Sequence, residues 1–507
     1  MVKIAKDIPK MTKRNPPIEA TIRVEYDRLK GEINPHLYGF GFENFAGAVT
    51  KGLDAQMLDG TSFEEEDVNR DGVSDKWLPI GWGTNTVRIR RDGRGAFHGD
   101  YSQKIEMLAY TDGEIGIKQG GLFIEKGKRY TCSLYLKQRE LENGSSVNIY
   151  LTNENDVYTK NTISVDKISS KWKKYTFILI PSNSSTDAEF RVTLAGKGNL
   201  WIDQVSLIPE DTFKRHGTRK DIMEKIVELN PNIVRWPGGC IAECYRWKYG
   251  IGDVDKRRLL RKYHASVRSK EDPSWDSNSF GTDEFMQFCH DINATPMLTI
   301  NIGYDIGDNV EEYIQEALDW VEYCNGDTTT EYGSMRATNG HPEPYNVEYW
   351  GLGNEPWEMK VEEYAERYIR FAKVLREKDP NIKLIACGGY AYNDDWNRKV
   401  LEIAGDDMDS LNLHYYYMDE DEYGTVAEPV KYEEYLIDLK KRIPSLVSPG
   451  KEVRISILEW NSNDNWKDAN KFKQGLYAAS FLNIVERQND IVEHAIVWPA
   501  LRRIQSP

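Results

Sequence analysis

The 507-residue chain has no run of about 18 apolar residues, the length a membrane-crossing helix needs. Its longest apolar stretches, such as Ala495–Leu501, are strand-sized. It is also short of positive charge: 66 Lys and Arg stand against 81 Asp and Glu, a net charge of −15, with no Lys/Arg-rich stripe. Nucleic-acid affinity is mostly a matter of cationic contacts, so neither nucleic acid nor membrane is an expected partner. The N-terminal MVKIAKDIPKMTKRNPP is basic but lacks the apolar stretch of a secretory signal, so the chain as given carries no export address, and cytoplasmic and secreted locations both stay open. Cysteine is scarce. The six (Cys132, Cys240, Cys244, Cys289, Cys324, Cys387) are scattered, and a chain this long needs no staples, so they read as mostly reduced and buried. Cys240 and Cys244 have no second pair, which argues against zinc. Gly39-Phe-Gly41 lacks the third glycine of G-x-G-x-x-G, position 44 being Asn, which argues against a dinucleotide enzyme.

What is present is an ordinary globular composition, 40% hydrophobic, in a length that suits two or three domains. Short β-rich runs at Leu37–Glu43, Ile233–Pro237, Pro296–Ile302, Val347–Asn354, Ile382–Gly388, Ser410–Tyr416, Arg454–Trp460 and Glu493–Ala500 alternate with amphipathic stretches. Those stretches are Asp221–Leu229, Thr282–Asn293, Val310–Cys324, Val361–Lys378, Val430–Arg442 and Ala469–Gln488. Eight strands spaced this way predict a closed (β/α)8 TIM barrel, with an open doubly wound sheet as the rival. One gap breaks the rhythm. Residues 61–210 show little helical periodicity but several alternating runs between turn residues, which predicts an all-β sandwich inserted between the first strand and the first helix. The organisation is therefore 1–60 for the N-terminal segment and first barrel strand, 61–210 for the insert, and 211–507 for the rest of the barrel.

Sandwiches of this size often bind sugars, and Trp77, Trp82, Tyr101, Tyr110, Tyr150, Tyr158 and Trp172 are candidate stacking platforms, although most such rings belong to a core. At the insert's entrance, Asp67, Asn69, Asp71 and Asp75 with Gly72 form D-x-N-x-D-G-x-x-D, read as a structural calcium loop; the bland alternative is a solvated acidic turn. The twelfth position is Leu78 rather than Glu, which excludes an EF-hand.

Chemistry on a barrel of this kind sits where strands end. The fourth run closes on Asn354-Glu355-Pro356 and the seventh on Glu459-Trp460-Asn461. Two carboxylates facing one cleft are the machinery of glycoside hydrolysis, and a separation of about 5–5.5 Å makes the reaction retaining. The alternative is that each Glu is a structural ion-pair partner. The first run adds Glu43, the second Arg235 through Cys240, and the sixth His414-Tyr-Tyr416, all aimed at the same face.

YGFGFENFAG, VRWPGGC with YRWKYGIG, NSFGTDEF, YWGLGNEPW, LHYY and ILEWN, in this order, resemble glycoside hydrolase family 51, chiefly α-L-arabinofuranosidases; the insert resembles a family 4/9 carbohydrate-binding module. The resemblance covers roughly Ile33–Gly60 and Phe213–Pro499. It implies that Glu355 is the acid/base, Glu459 the nucleophile, Asn354 a partner of the sugar near its 2-hydroxyl, Glu43 a furanose-binding carboxylate and Arg235 the cation orienting the nucleophile. His414 and Tyr416 match residues bordering the glutamates. A Glu43–Arg235 salt bridge and ordinary packing of the aromatics are the structural alternatives. The implied activity is retaining release of terminal α-L-arabinofuranosyl units from arabinan, arabinoxylan or their oligosaccharides, with no catalytic cofactor and with any calcium confined to the insert. Oligomers occur in the family, so a homo-oligomer is compatible with the resemblance but not established by the sequence.

The chain departs from the family at Cys240, where many members carry Asn, at Trp498-Pro499, where a Gln is usual, and at Asp253, where Pro follows Ile-Gly. Cys240 and Trp498 would line the sugar pocket, which keeps an endo-β-1,4-glucanase or xylanase on the same barrel as the alternative; a non-catalytic sugar-binding protein is more remote. The family also follows its barrel with a β-sandwich that takes in a strand from before it, here Thr21–Tyr26. That C-terminal sandwich is missing from the chain, which ends at Pro507 and so reads as a fragment.

Overall fold

The computed structural model describes residues 31–44, 48–81, 83–261, 275–304, 309–417, 422–462 and 472–499. Thr21–Tyr26, Trp82 and Ala500 lie outside them. Eight parallel strands close into a barrel in chain order: Tyr38–Gly41, Ile233–Trp236, Thr295–Ile300, Tyr349–Leu352, Lys383–Tyr390, Ser410–Tyr417, Arg454–Ser462 and Val492–Val497. Closure is visible at the first strand, where Phe40 sits opposite Val234 on one side and Val497 on the other, which excludes the open sheet. Ile233–Trp236 and Tyr349–Leu352 are buried at every position, as expected of strands covered on both faces. Ile233, Met297, Tyr349, Ile385, Leu458 and Ile496 cluster inside the barrel, while a larger apolar layer joins the strands to the surrounding helices.

The helices stop where local chemistry stops them. Lys220–Leu229 ends on Asn230 in the left-handed region (φ 48°), followed by Pro231, and Thr282–Ile292 ends on Asn293 (φ 57°). At the start of the latter, Glu284 Oε2 accepts from Gly281 N at 2.8 Å. Val310–Asn325, Val361–Lys378, Glu422–Leu446 and Phe472–Arg487 fall on the expected amphipathic stretches. Two helices that the sequence reading does not include, Glu331–Thr338 and Asp394–Ala404, complete the set among the described residues. None of the helices described is long and apolar enough to cross a membrane.

Between the first strand and Lys220–Leu229, the chain forms two five-stranded antiparallel sheets. In one, Ser185–Ala195 is central; in the other, Gly198–Pro209 is. Ile105, Leu134, Leu136, Ile149, Leu151, Phe190, Val192 and Ile202 fill the space between them, because alternate residues of each strand turn inward. This core is distinct from that of the barrel. The sandwich reaches the loop after the second barrel strand through Tyr135, whose hydroxyl donates to Asp255 Oδ2 at 2.9 Å. Of the suggested sugar platforms, Trp77, Tyr150 and Tyr158 are buried and Trp77 belongs to the core, which corrects that reading for these three. Tyr101 and Tyr110 are exposed and Trp172 is half-buried.

The acidic loop is held by hydrogen bonds to its own amides. Asp67 accepts from the amides of Asp71 (3.0 Å) and Gly72 (2.9 Å), Asp71 from Val73 N (2.9 Å) and Asp75 from Val68 N (3.0 Å). Asn69 donates to Asp71. The acidic side chains of this loop do not gather as a set of three or more ligands, so the calcium reading of Asp67, Asn69, Asp71 and Asp75 is not supported; the loop is a turn closed by its own amides.

Candidate active site

The fourth barrel strand is short because Gly353 turns the chain immediately after Leu352 in a left-handed conformation (φ 83°). Glu355 follows, itself at φ 45°, an unfavourable conformation for a side-chain-bearing residue and one that clusters at functional sites. The turn carries the Glu355 carboxylate to the barrel mouth, where Oε1 meets His414 Nδ1 at 2.7 Å. His414 lies on the sixth strand and pairs in register with Glu459 on the seventh. Its Nδ1 is 3.6 Å from Glu459 Oε2. One oxygen of each glutamate and the histidine nitrogen all lie within 4.8 Å of one another.

The two carboxylates have different surroundings. Glu459 is buried, and its Oε1 accepts from Arg235 Nη1 while its Oε2 accepts from the Tyr416 hydroxyl, both at 2.8 Å. Burial alone would push its carboxyl up, but the charge of His414 when that ring is protonated, Arg235 and the Tyr416 hydroxyl together outweigh that and hold it below the ordinary value. Arg235 is fully buried, so its charge is scarcely screened; it also donates to Asn354 Oδ1 at 2.8 Å and to Thr299 Oγ1 at 3.2 Å. Glu355 has a side chain 26% exposed and, among the described residues, pairs only with His414.

Glu43 is a third buried carboxyl. Burial, then the neighbouring Glu459 charge, pushes it up to about 8, against the lowering effect of the Ile241 amide, which donates to Oε1 at 2.6 Å. It is therefore mostly protonated at neutral pH and can donate a hydrogen bond. The Glu43–Arg235 bridge considered from the sequence is replaced by Arg235–Glu459 and Arg235–Asn354 pairs. Asn354 is 1% exposed and its Nδ2 has no partner among the described residues, a buried donor that a bound hydroxyl could satisfy. Trp498 lies over Arg235, 5.4 Å from ring to guanidinium carbon, and packs so closely on Gly41 that a Cβ there would lie 1.7 Å from the ring. Cys240 begins the short 3-10 turn Cys240–Glu243 and is half-buried.

The structure thus brings Glu43, Arg235, Asn354, Glu355, His414, Tyr416, Glu459 and Trp498 into one connected cluster. It adds Glu243, 1% exposed, whose Oε1 accepts from the Asn354 backbone amide. It also adds Gly239, where a Cβ would lie 2.5 Å from Glu459 Oε1 and 3.5 Å from Asn354 Nδ2. Neither is singled out by sequence reasoning. Glu243 sits in a short turn without strand or helix periodicity; its one visible signal is an acidic residue within an otherwise apolar block.

A closed parallel barrel whose strand ends gather two carboxylates, an arginine and a histidine has the architecture of barrel-type glycoside hydrolases. Comparison with known proteins narrows the class. The "Alpha-L-arabinofuranosidase 1 domain" family matches residues 225–435. The chain is 28% identical over 412 residues to Alpha-L-arabinofuranosidase 2 of Arabidopsis thaliana, covering 77% of this chain and 58% of that protein. It is 40% identical over 182 residues to Alpha-L-arabinofuranosidase C of Emericella nidulans, covering 34% and 33% respectively. The chain therefore spans well under two thirds of the length of these relatives. The arabinose complex of the Thermotoga maritima α-L-arabinofuranosidase superposes with a TM-score of 0.50 at 35% identity, covering 56% of this chain and 58% of that one. An arabinose-bound GH51 α-L-arabinofuranosidase shares the fold over 93% of this chain and 75% of its own, with a TM-score of 0.76 and 22% identity. Over its barrel the chain is thus similar to the glycoside hydrolase family 51 α-L-arabinofuranosidases.

Proposed function

We propose that the protein is a retaining exo-acting α-L-arabinofuranosidase that removes terminal arabinofuranosyl units from arabinan, arabinoxylan or their oligosaccharides. The observation that carries this reading is the approach of Glu355 and Glu459, with an oxygen of each within 4.8 Å of the other. That suits the spacing of about 5–5.5 Å used for direct attack on a sugar and is too close for the intervening water of an inverting pair, about 6.5–9.5 Å.

The division of labour follows from the surroundings. Glu459 is held charged by Arg235 and is the nucleophile. Its carboxylate forms a bond to the anomeric carbon as the glycosidic bond breaks, and Glu355 gives its proton to the departing oxygen. Glu355, partly open to solvent, then takes a proton from a water whose oxygen attacks the same carbon, freeing arabinose and restoring the Glu459 carboxylate. The unpartnered Asn354 amide and the protonated Glu43 are the donors for the sugar hydroxyls. Both carboxyls end the cycle as they began, and no cofactor enters. We take 61–210 as a glycan-binding insert; its half-buried Trp172 and Trp201, which flank Lys137, are the kind of aromatic ring that stacks on a sugar face.

The test is a panel of aryl α-L-arabinofuranoside, aryl β-xyloside and β-glucan, run with Glu355→Gln and Glu459→Gln. Cleavage of the arabinofuranoside alone is expected. Glu459→Gln should abolish it, whereas Glu355→Gln should cost about 10²–10⁴-fold on natural linkages and much less on activated aryl groups that leave without a proton. Activity on β-glucan alone would replace this reading with an endo-glucanase.

A further inference from the structure

Asn412 lies two residues before His414 on the sixth barrel strand, so the two side chains share a face. Its Oδ1 accepts from the Leu458 backbone amide on the neighbouring strand at 3.0 Å. That contact fixes which way the side-chain amide faces: the oxygen is turned to Leu458 and the NH2 is turned to His414, with Nδ2 3.0 Å from Nε2. An NH2 group can only donate, so Nε2 must accept through its lone pair. The ring proton is then on Nδ1, the nitrogen that faces Glu355 Oε1 at 2.7 Å and Glu459 Oε2 at 3.6 Å. Asn412 is 3% exposed and His414 2%, which leaves little room for water to offer Nε2 another partner.

We propose that Asn412 is a positioning residue that locks His414 in the Nδ1–H form, making it a neutral, permanent hydrogen-bond donor between the two carboxylates. The idea rests on the reading of Glu355 and Glu459 as the reacting pair. In that reaction Glu355 must serve first as an acid and then as a base. A neutral donor supports it in both states without favouring the charged one strongly, whereas an imidazolium at the same place would hold Glu355 as a carboxylate and weaken the acid. The groups around the ring are Glu355 from the fourth strand's turn, Glu459 from the seventh strand and the Trp357 edge. Behind them stand Arg235, Tyr416 and Glu43 around Glu459, and Tyr390, whose hydroxyl bonds Tyr416 O. With the ring neutral, the fixed positive charge of the site is that of Arg235.

Nitrogen-15 NMR of histidine-labelled protein reads the tautomer directly, with His414 assigned by the signal lost in His414→Gln. The unmodified protein should show a protonated Nδ1 and a bare Nε2 at pH 7. In Asn412→Asp, one carboxylate oxygen keeps the Leu458 amide and the other faces Nε2, so both ring nitrogens should be protonated. The basic limb of its kcat/KM profile on an arabino-oligosaccharide, whose leaving group needs the proton from Glu355, should move down by about one pH unit, roughly a tenfold loss on that limb. A hydrogen on Nε2 in the unmodified protein, or an Asn412→Asp spectrum and profile that match those of the unmodified protein, would overturn the proposal. Should Asn412→Asp not fold, the spectrum of the unmodified protein decides alone. Should no glycoside be cleaved, the glycosidase reading fails while the tautomer is still determined.

Discussion

Replacing Arg235 by Met removes the buried arginine that pairs with Glu459 among the described residues. The pair is 2.8 Å apart with side chains 1% and 7% exposed, so water screens it little. Removing one partner of such a pair leaves an uncompensated buried charge and typically costs about 3–5 kcal/mol. Arg235→Met should therefore lower the urea midpoint at pH 7 by an amount in that range. Much of the loss should come from the Glu459 charge rather than from lost packing, and a double-mutant cycle separates the two. In Arg235→Met/Glu459→Gln no buried charge is stranded, so the second substitution should restore stability in this background, with a coupling of at least about 2 kcal/mol. The pH dependence has a definite sign. Glu459 is held below its ordinary 4.5, so its stabilising contribution is complete above that value and is lost as pH falls further, through the folded-state value. Arg235→Met should lose this particular acid sensitivity. If the two substitutions add to within about 0.5 kcal/mol, Arg235 and Glu459 are not coupled and the account of the nucleophile's charge is wrong.

Two further predictions follow from the structure. His494 is fully buried and depressed to about 3 by burial, with His36 and Arg454 acting in the same direction, so its neutral form is full above its ordinary 6.5 and the fold is progressively penalised as pH falls from there towards 3. By pH 5 this amounts to about 2 kcal/mol, and His494→Gln should remove that slope from thermal or urea unfolding measured between pH 7 and 5; an unchanged slope would refute it. Gly239 has φ −85° but ψ −105°, outside the α and β regions that a side-chain-bearing residue favours, so Gly239→Ala acts both through backbone strain and through the 2.5 Å approach of its methyl to Glu459 Oε1. Activity should drop by about two orders of magnitude or more while the circular dichroism spectrum is kept, since displacing a reacting group by about 1 Å is enough for such a loss; a variant with near-normal kcat would contradict the placement of Glu459.

The barrel was legible because fully buried parallel strands leave largely apolar runs such as Ile233–Trp236 and Tyr349–Leu352, the latter with Asn354 and Glu355 just beyond its end. Position in the run identified Glu355 and Glu459 for a physical reason: a carboxyl at the end of an apolar strand needs a partner. Other parts of the structure escaped the sequence reading. The Asp394–Ala404 helix carries its signals, an Asn393 side chain accepting from Trp396 N and buried Trp396, Val400, Leu401 and Ala404, but it follows Gly388-Gly389 at a strand end where a turn is the more obvious reading. Glu243 and Asn412 act through contacts more than 40 residues away in the chain, to Asn354 N and Leu458 N, which no local pattern encodes. For the Asp67–Asp75 loop the sequence offered both a calcium loop and a solvated acidic turn, because the two draw on the same residues.

The central claim is that Glu459 attacks the anomeric carbon directly, with Glu355 near enough to serve both halves of the reaction. Proton NMR of the first sugar released from an aryl α-L-arabinofuranoside, recorded before mutarotation, tests it most directly. The account predicts α-L-arabinofuranose as the initial product, and initial appearance of the β-anomer would contradict it.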